Sequence, residues 1–211
     1  MFGLLLRAIQ SYLRDTFGVA VWARVLRAAG QPPEGFEAML PYDVTVLDRM
    51  LRACSAELRR PAEAMLEDVG TFLVANPTHG GVRRLLRFGG ANFTDFLHSL
   101  EELPDRARLA LPGLELPQIR LLEIAPGTYK LLIGCRIPVL FPMVLGTLRA
   151  MADDYGALVL IDADAAPGGA NNAEPTEETA GGVLTVQLLE VEHGGGRRFD
   201  LAQVGAVFHG R

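Results

Sequence analysis

The sequence is poor in cysteine, in histidine and in positive charge, and each shortage excludes something. Two cysteines, Cys54 and Cys135, sit in apolar surroundings and build no disulfide framework. Both read as small core residues of a chain kept in a reducing compartment. The 20 Lys and Arg stand against 25 Asp and Glu, a formal net charge of −5. The clustered basic face of a nucleic-acid binder is therefore not expected. No run approaches the roughly 20 uninterrupted apolar residues of a membrane span. The opening MFGLLLRAIQSYLRD is broken by Arg7 and lacks a small-residue cleavage site, so it does not read as a signal peptide. A soluble cytoplasmic protein is expected.

Catalytic signatures are missing too. There is no GxSxG elbow, P-loop or HExxH, and the glycines at 80–81, 89–90 and 194–196 do not form GxGxxG between a strand and a helix. His79, His98, His193 and His209 are scattered, and His98, though on a helix, lies off its apolar face. Asp153–Asp154 and Asp162–Asp164 read as solvated pairs, since a metal site needs several converging ligands. Neither an enzyme nor a metal protein is expected.

What is present is apolar periodicity. With 211 residues and 49% hydrophobic content the chain can bury one substantial core. Phe2, Leu5, Leu6, Ile9, Leu13 and Phe17 recur at helical spacing, and Val21, Trp22, Val25 and Leu26 continue it to a stop at Gly30. Val46, Leu47, Met50, Leu51, Cys54 and Leu58 mark a third helix, and Pro61 opens a fourth through PAEAMLEDVGTFLVAN. NPTHGG reads as a loop. Asn92 caps a helix carrying Phe96, Leu97, Leu100 and Leu103, which Pro104 ends. After Pro112 the period becomes that of strands: QIRLLEI and YKLLIGCR joined by the hairpin APGT, then ALVLIDA and VLTVQLLEVE. Between the two pairs, VLFPMVLGTLRAMADDYG is helical, and AAPGGANNAEPTEETAGG is a polar loop. The expected class is α+β. A helical lobe over residues 1–110 packs on a mixed lobe over 111–192, whose four-stranded antiparallel sheet uses segments near 118–124, 129–136, 157–163 and 183–192. Together these make one domain, 1–192, followed by a flexible tail, 193–211.

MFGLLLRAIQSYL, PAEAMLEDVG, FLHSLEEL followed by LALPGLELP, and PMVLGTLRAMADDYG, in this order and spacing, resemble the H-NOX family of haem nitric oxide/oxygen-binding domains over about residues 1–160. The resemblance implies a helical front lobe over an antiparallel back lobe. It places the family's haem-ligating histidine at Pro104, which offers no lone pair. It also places at Pro117 the proline that presses on the porphyrin. The family's Tyr-x-Ser-x-Arg clamp for the haem propionates falls in LLIGCRI. Matching on Arg136 aligns Leu132 and Gly134 with the tyrosine and serine; counting back from PMVLG without a gap aligns Ile133, Cys135 and Ile137 with the three positions. Either way the tyrosine and serine are absent, and propionates beside aliphatic groups would cost several kcal/mol per charge.

By the same resemblance, the positions lining the family's inter-lobe cavity are Leu5, Ile9, Val69, Leu73, Leu100, Leu103, Phe141, Val144 and Leu145. A void left there costs about 24 cal/mol per Å³, so the lobes either close over it or hold another apolar molecule. A fatty acid suits such a space, with its carboxylate at Arg136, Arg120 or Arg106. The expected function is a haem-independent sensor domain with a lipophilic ligand. The alternatives are a ligand-free pseudo-sensor that docks a signalling protein such as a histidine kinase or cyclase, and, third, a haem-based gas sensor.

Overall fold

In the computed structural model, which describes residues 3–110, 116–135, 140–165, 181–191, 193–194 and 196, the front of the chain forms four helices. They are α1 (Gly3–Phe17), α2 (Val19–Ala28), α3 (Val44–Leu58) and α4 (Ala62–Ala75). The helical spacing of Leu6, Ile9 and Leu13 becomes one buried stripe, packed with Trp22, Val25, Leu47, Met50 and Val69. Asp43 caps α3 by accepting the Thr45 N–H at 2.8 Å.

Then come α5 (Gly80–Arg87), α6 (Phe93–His98) and α7 (Leu103–Ala110), the hairpin β1 (Gln118–Ala125) and β2 (Thr128–Gly134), α8 (Leu140–Tyr155), β3 (Leu158–Ala165) and β4 (Gly182–Glu190). The sheet is antiparallel in the order β1-β2-β4-β3, the four-stranded arrangement that the sequence predicts. Pro126 and Gly127 turn the hairpin, and the glycine has φ 72, which the third position of a type II turn requires. Asn92 caps α6 as expected, accepting the Asp95 N–H at 2.9 Å. Most of the loop expected over 165–182 and of the tail expected over 193–211 lies outside the described residues.

Three expectations are corrected. The first is the division into lobes. Leu86, Phe93, Phe96, Leu97, Leu100 and Leu103 belong to the core beneath the sheet, with Leu131, Ile133, Leu148, Leu184 and Val186. The two packing units therefore meet near Ala75 rather than near 110, because the apolar residues of α5 to α7 join the core that the strands and α8 share. The second is NPTHGG, expected as a loop, which forms a 3-10 turn at Pro77–His79 and the start of α5. Val82, Leu85 and Leu86 are spaced as one helical face and join the core, but the helix is only eight residues long and glycine pairs at both ends read as loop.

The third is Asp154, expected to be solvated. Its side chain is 2% exposed, and its Oδ1 accepts from Arg83 Nε at 2.7 Å. Arg87 Nε lies 3.1 Å from Oδ2 as an ion pair, though not aligned as a hydrogen bond. The Arg87 guanidinium also lies 3.9 Å over the Tyr155 ring, whose hydroxyl donates to Gly90 O at 3.0 Å. A buried carboxylate requires such partners, and here they fasten α5 to the end of α8.

Candidate functional site

The segment around Pro104 is helical throughout. From α6 the backbone passes through a 3-10 turn at Ser99–Glu102 into α7, with Leu103 at φ −57, ψ −42. Pro104 is buried in the first turn of α7. It does not end the helix, as its sequence position suggested; it starts the last segment, where a missing N–H goes unnoticed. The position thus has helical geometry and burial but no donor atom. The nearest histidine in sequence, His98, is exposed and packs edge-on against the Tyr129 ring at 5.8 Å.

On β2 the faces alternate. Tyr129, Leu131 and Ile133 are buried against α6 to α8, and Cys135 joins the same core just past the strand. Leu132 and Gly134 occupy the opposite face. The two readings of LLIGCRI therefore differ in side: Ile133 and Cys135 look inward, Leu132 and Gly134 outward. Burial pushes the Cys135 thiol up to about 11, which keeps it neutral and unsuited to act as a thiolate ligand. Cys54 is held still higher, at about 12, for the same reason.

The nine proposed lining positions divide between the two units. Ile9 and Val69 are fully buried in the front core, and Leu5 and Leu73 pack against it half-buried. Leu100, Leu103 and Leu145 are buried in the back core, with Phe141 and Val144 half-buried against it. At 0% exposure Ile9 and Val69 touch no water-sized space. Among the nine, Leu5, Leu73, Phe141 and Val144 keep part of their side chains exposed.

The units join where α4 crosses α8. A Cβ on Gly70 would lie 2.1 Å from Met143 O, and one on Gly146 would lie 1.9 Å from Glu67 O. Glycine alone lets the two backbones touch. Thr71 Oγ1 donates to Gly146 O at 3.2 Å, and Arg149 pairs with Glu67 at the rim. Sequence reasoning missed both glycines, which carry no periodic signal.

Of the three arginines considered for a carboxylate, Arg106 is half-buried; its Nη2 donates to Ser99 O at 2.9 Å, and its buried Nε has no hydrogen-bond partner. Arg120 projects from the outer face of β1, opposite the core-facing Ile119, and so does not serve the boundary. Arg136 lies outside the described residues. Among the described residues no group of three His, Cys, Asp or Glu could hold a metal ion.

The family model described as Haem-NO-binding matches residues 2–162. The chain belongs to the H-NOX family. Solved relatives share its fold: a mutant of the T. tengcongensis H-NOX superposes with a TM-score of 0.70 at 15% identity, covering 90% of this chain and 99% of that one. The S. oneidensis H-NOX in its Fe(II)NO state gives 0.70 at 16% identity, covering 89% and 99%. Soluble guanylate cyclase 89Db of Drosophila melanogaster is 22% identical over 158 residues, 75% of this chain and 24% of that one. Soluble guanylate cyclase gcy-31 of Caenorhabditis elegans is 24% identical over 117 residues, 56% of this chain and 17% of that one. The chain thus spans less than a quarter of the curated relatives' length.

H-NOX domains are sensor domains rather than catalysts, linked to signalling partners such as cyclases and kinases. The group the family normally holds is haem. At the positions that the resemblance assigns to its anchors stand Pro104, which has no lone pair for iron, and either Leu132 and Gly134 or Ile133 and Cys135, none of which offers a propionate a charge. Among the described residues no helix is long and apolar enough to cross a membrane.

Proposed function

We propose that this chain is a haem-independent H-NOX sensor domain, a single domain over about residues 1–192, that holds a lipophilic ligand where its two packing units meet. A fatty acid is the ligand class that fits. The observation that carries this reading is the pairing of a buried, donor-less Pro104 with half-buried apolar side chains at Leu5, Leu73, Phe141 and Val144. Haem has lost its anchors, yet the apolar surface remains. The tail would lie along these residues and displace packing next to Ile9, Leu100, Leu103 and Leu145. Arg106, with a buried Nε lacking a partner, would meet the carboxylate. Burying a sixteen-carbon chain at about 0.8 kcal/mol per methylene amounts to roughly 12 kcal/mol gross, enough to exceed ordering and association costs.

A second reading is favoured by Ile9 and Val69, which touch no open space. It is a closed pseudo-sensor that acts only by docking a signalling protein. The deciding experiment is mass spectrometry of an organic extract, followed by thermal shift of delipidated protein with fatty acids of about twelve to eighteen carbons. Co-purified lipid, a raised Tm and loss of both in Leu73→Trp are expected. No stabilisation by any of these acids would leave the docking reading. A stoichiometric Soret band that shifts with nitric oxide would overturn haem independence. Pro104→His supplies a ligand from an existing helix but leaves the clamp empty, so weak, substoichiometric haem uptake is expected.

A further inference from the structure

The outer face of the sheet carries opposite charges toward its two edges. Strand register arranges its outward residues in rows. Arg120, Leu132, Val183 and Asp164 form one row, and Leu122, Lys130, Thr185 and Asp162 the next. Thr128, Gln187 and Leu160 form a third, beside Ile124 at the bulge of β1. In these rows the positive charges lie on β1 and β2 and the negative charges on β3 at the far edge. Between and below them Thr128, Thr185 and Gln187 alternate with exposed aliphatic side chains, Leu122 at 44%, Ile124 at 52%, Leu160 at 50% and Leu189 at 56%. An amphipathic sheet normally turns polar residues to water on such a face, so four exposed aliphatic side chains on it point to a cover.

We propose that this face pairs with the same face of a second copy of the chain. The reason is the order β1-β2-β4-β3. A two-fold axis parallel to the strands, passing between β2 and β4, lays β1 over the second copy's β3 and β2 over its β4. Rows stay matched. Arg120 then faces Asp164 of the second copy, Leu132 faces Val183, Ile124 faces Leu160, and Lys130 reaches diagonally to Asp162. Each contact occurs twice, as an isologous interface requires, and the two sheets stack as in an aligned sandwich. A two-fold axis across the strands would instead put like charges together. Four strands by about seven residues make a patch of roughly 19 by 23 Å. The pair therefore buries roughly 900 Å² in all, below the range of stable specific interfaces and in that of transient ones, so the dimer is weak and salt-sensitive. This inference does not depend on what the domain binds.

Lys130 is the only lysine in the chain, which gives a direct readout. Sedimentation of the purified protein should show a concentration-dependent monomer–dimer equilibrium. Zero-length carbodiimide coupling should give a covalent dimer joined from Lys130 to Asp162 or Asp164. The variants Arg120→Glu/Lys130→Glu and Asp162→Lys/Asp164→Lys should each be monomeric with an unchanged circular dichroism spectrum. Mixed in equal amounts they should form a heterodimer, because both charge contacts are then restored. A monomer at every attainable concentration, reversed variants that dimerise like the parent, or a mixture that stays monomeric would each overturn the proposal. Ligand loading enters none of these measurements.

Discussion

Each packing unit of this H-NOX domain buries one polar side chain among its described residues, and the two are of different kinds. In the front unit Gln10 is 2% exposed, and its Oε1 accepts the Phe36 N–H at 3.0 Å, tying the loop after α2 to α1. In the back unit Asp154, equally buried, holds two arginines of α5. A neutral amide matched to one backbone N–H fixes a loop at small cost. A buried carboxylate needs cations around it and makes the position of α5 depend on them. At its buried polar group the back unit, which also contains Pro104, is thus fastened by charge, and the front unit by a neutral hydrogen bond.

The comparison can be broken first where the units touch. Gly146→Val would drive a methyl group into the Glu67 carbonyl and part α4 from α8. A loss of about 3 kcal/mol or more is expected from denaturant unfolding, with both units affected. Asp154→Ala leaves Arg83 and Arg87 facing a space without their anion. A loss of about 3 kcal/mol is expected, and hydrogen exchange should show α5 loosened while α1 to α3 stay protected. An equal loss of protection in α1 to α3 would show that the units are one cooperative block. Gln10→Leu keeps the volume but strands the Phe36 N–H, for an expected loss of about 1–2 kcal/mol confined to the front unit.

The smallest effect at neutral pH is the titration of the buried thiols. Cys54 and Cys135 stay protonated in the fold up to about 12 and about 11, against an ordinary value of 9.0. An unfolded chain releases those protons earlier. Stability is therefore complete below pH 9 and falls as pH rises toward 11–12, by up to about 1.4 kcal/mol per pH unit for each thiol. A Cys54→Ala/Cys135→Ala variant should show a flatter decline in that window when Tm is followed against pH.

The sequence by itself determined the elements with strong period. The stripe Leu6–Ile9–Leu13, the Asn92 cap, the Pro126–Gly127 hairpin and the four antiparallel strands follow from local spacing and turn chemistry. The block order carried the family. Three things needed the tertiary structure. Pro104 reads locally as a helix end, yet the chain continues helically because the proline falls in a first turn, a distinction set by how α6 and α7 pack on the sheet. Which of Leu132 or Ile133 looks inward depends on strand parity, and a shift of one residue exchanges the faces. Asp154 reads as solvated because its partners lie about seventy residues earlier, on a short helix bounded by glycine pairs. Local spacing fixes what a segment becomes; the face it buries and the charge it shelters depend on distant chain brought against it.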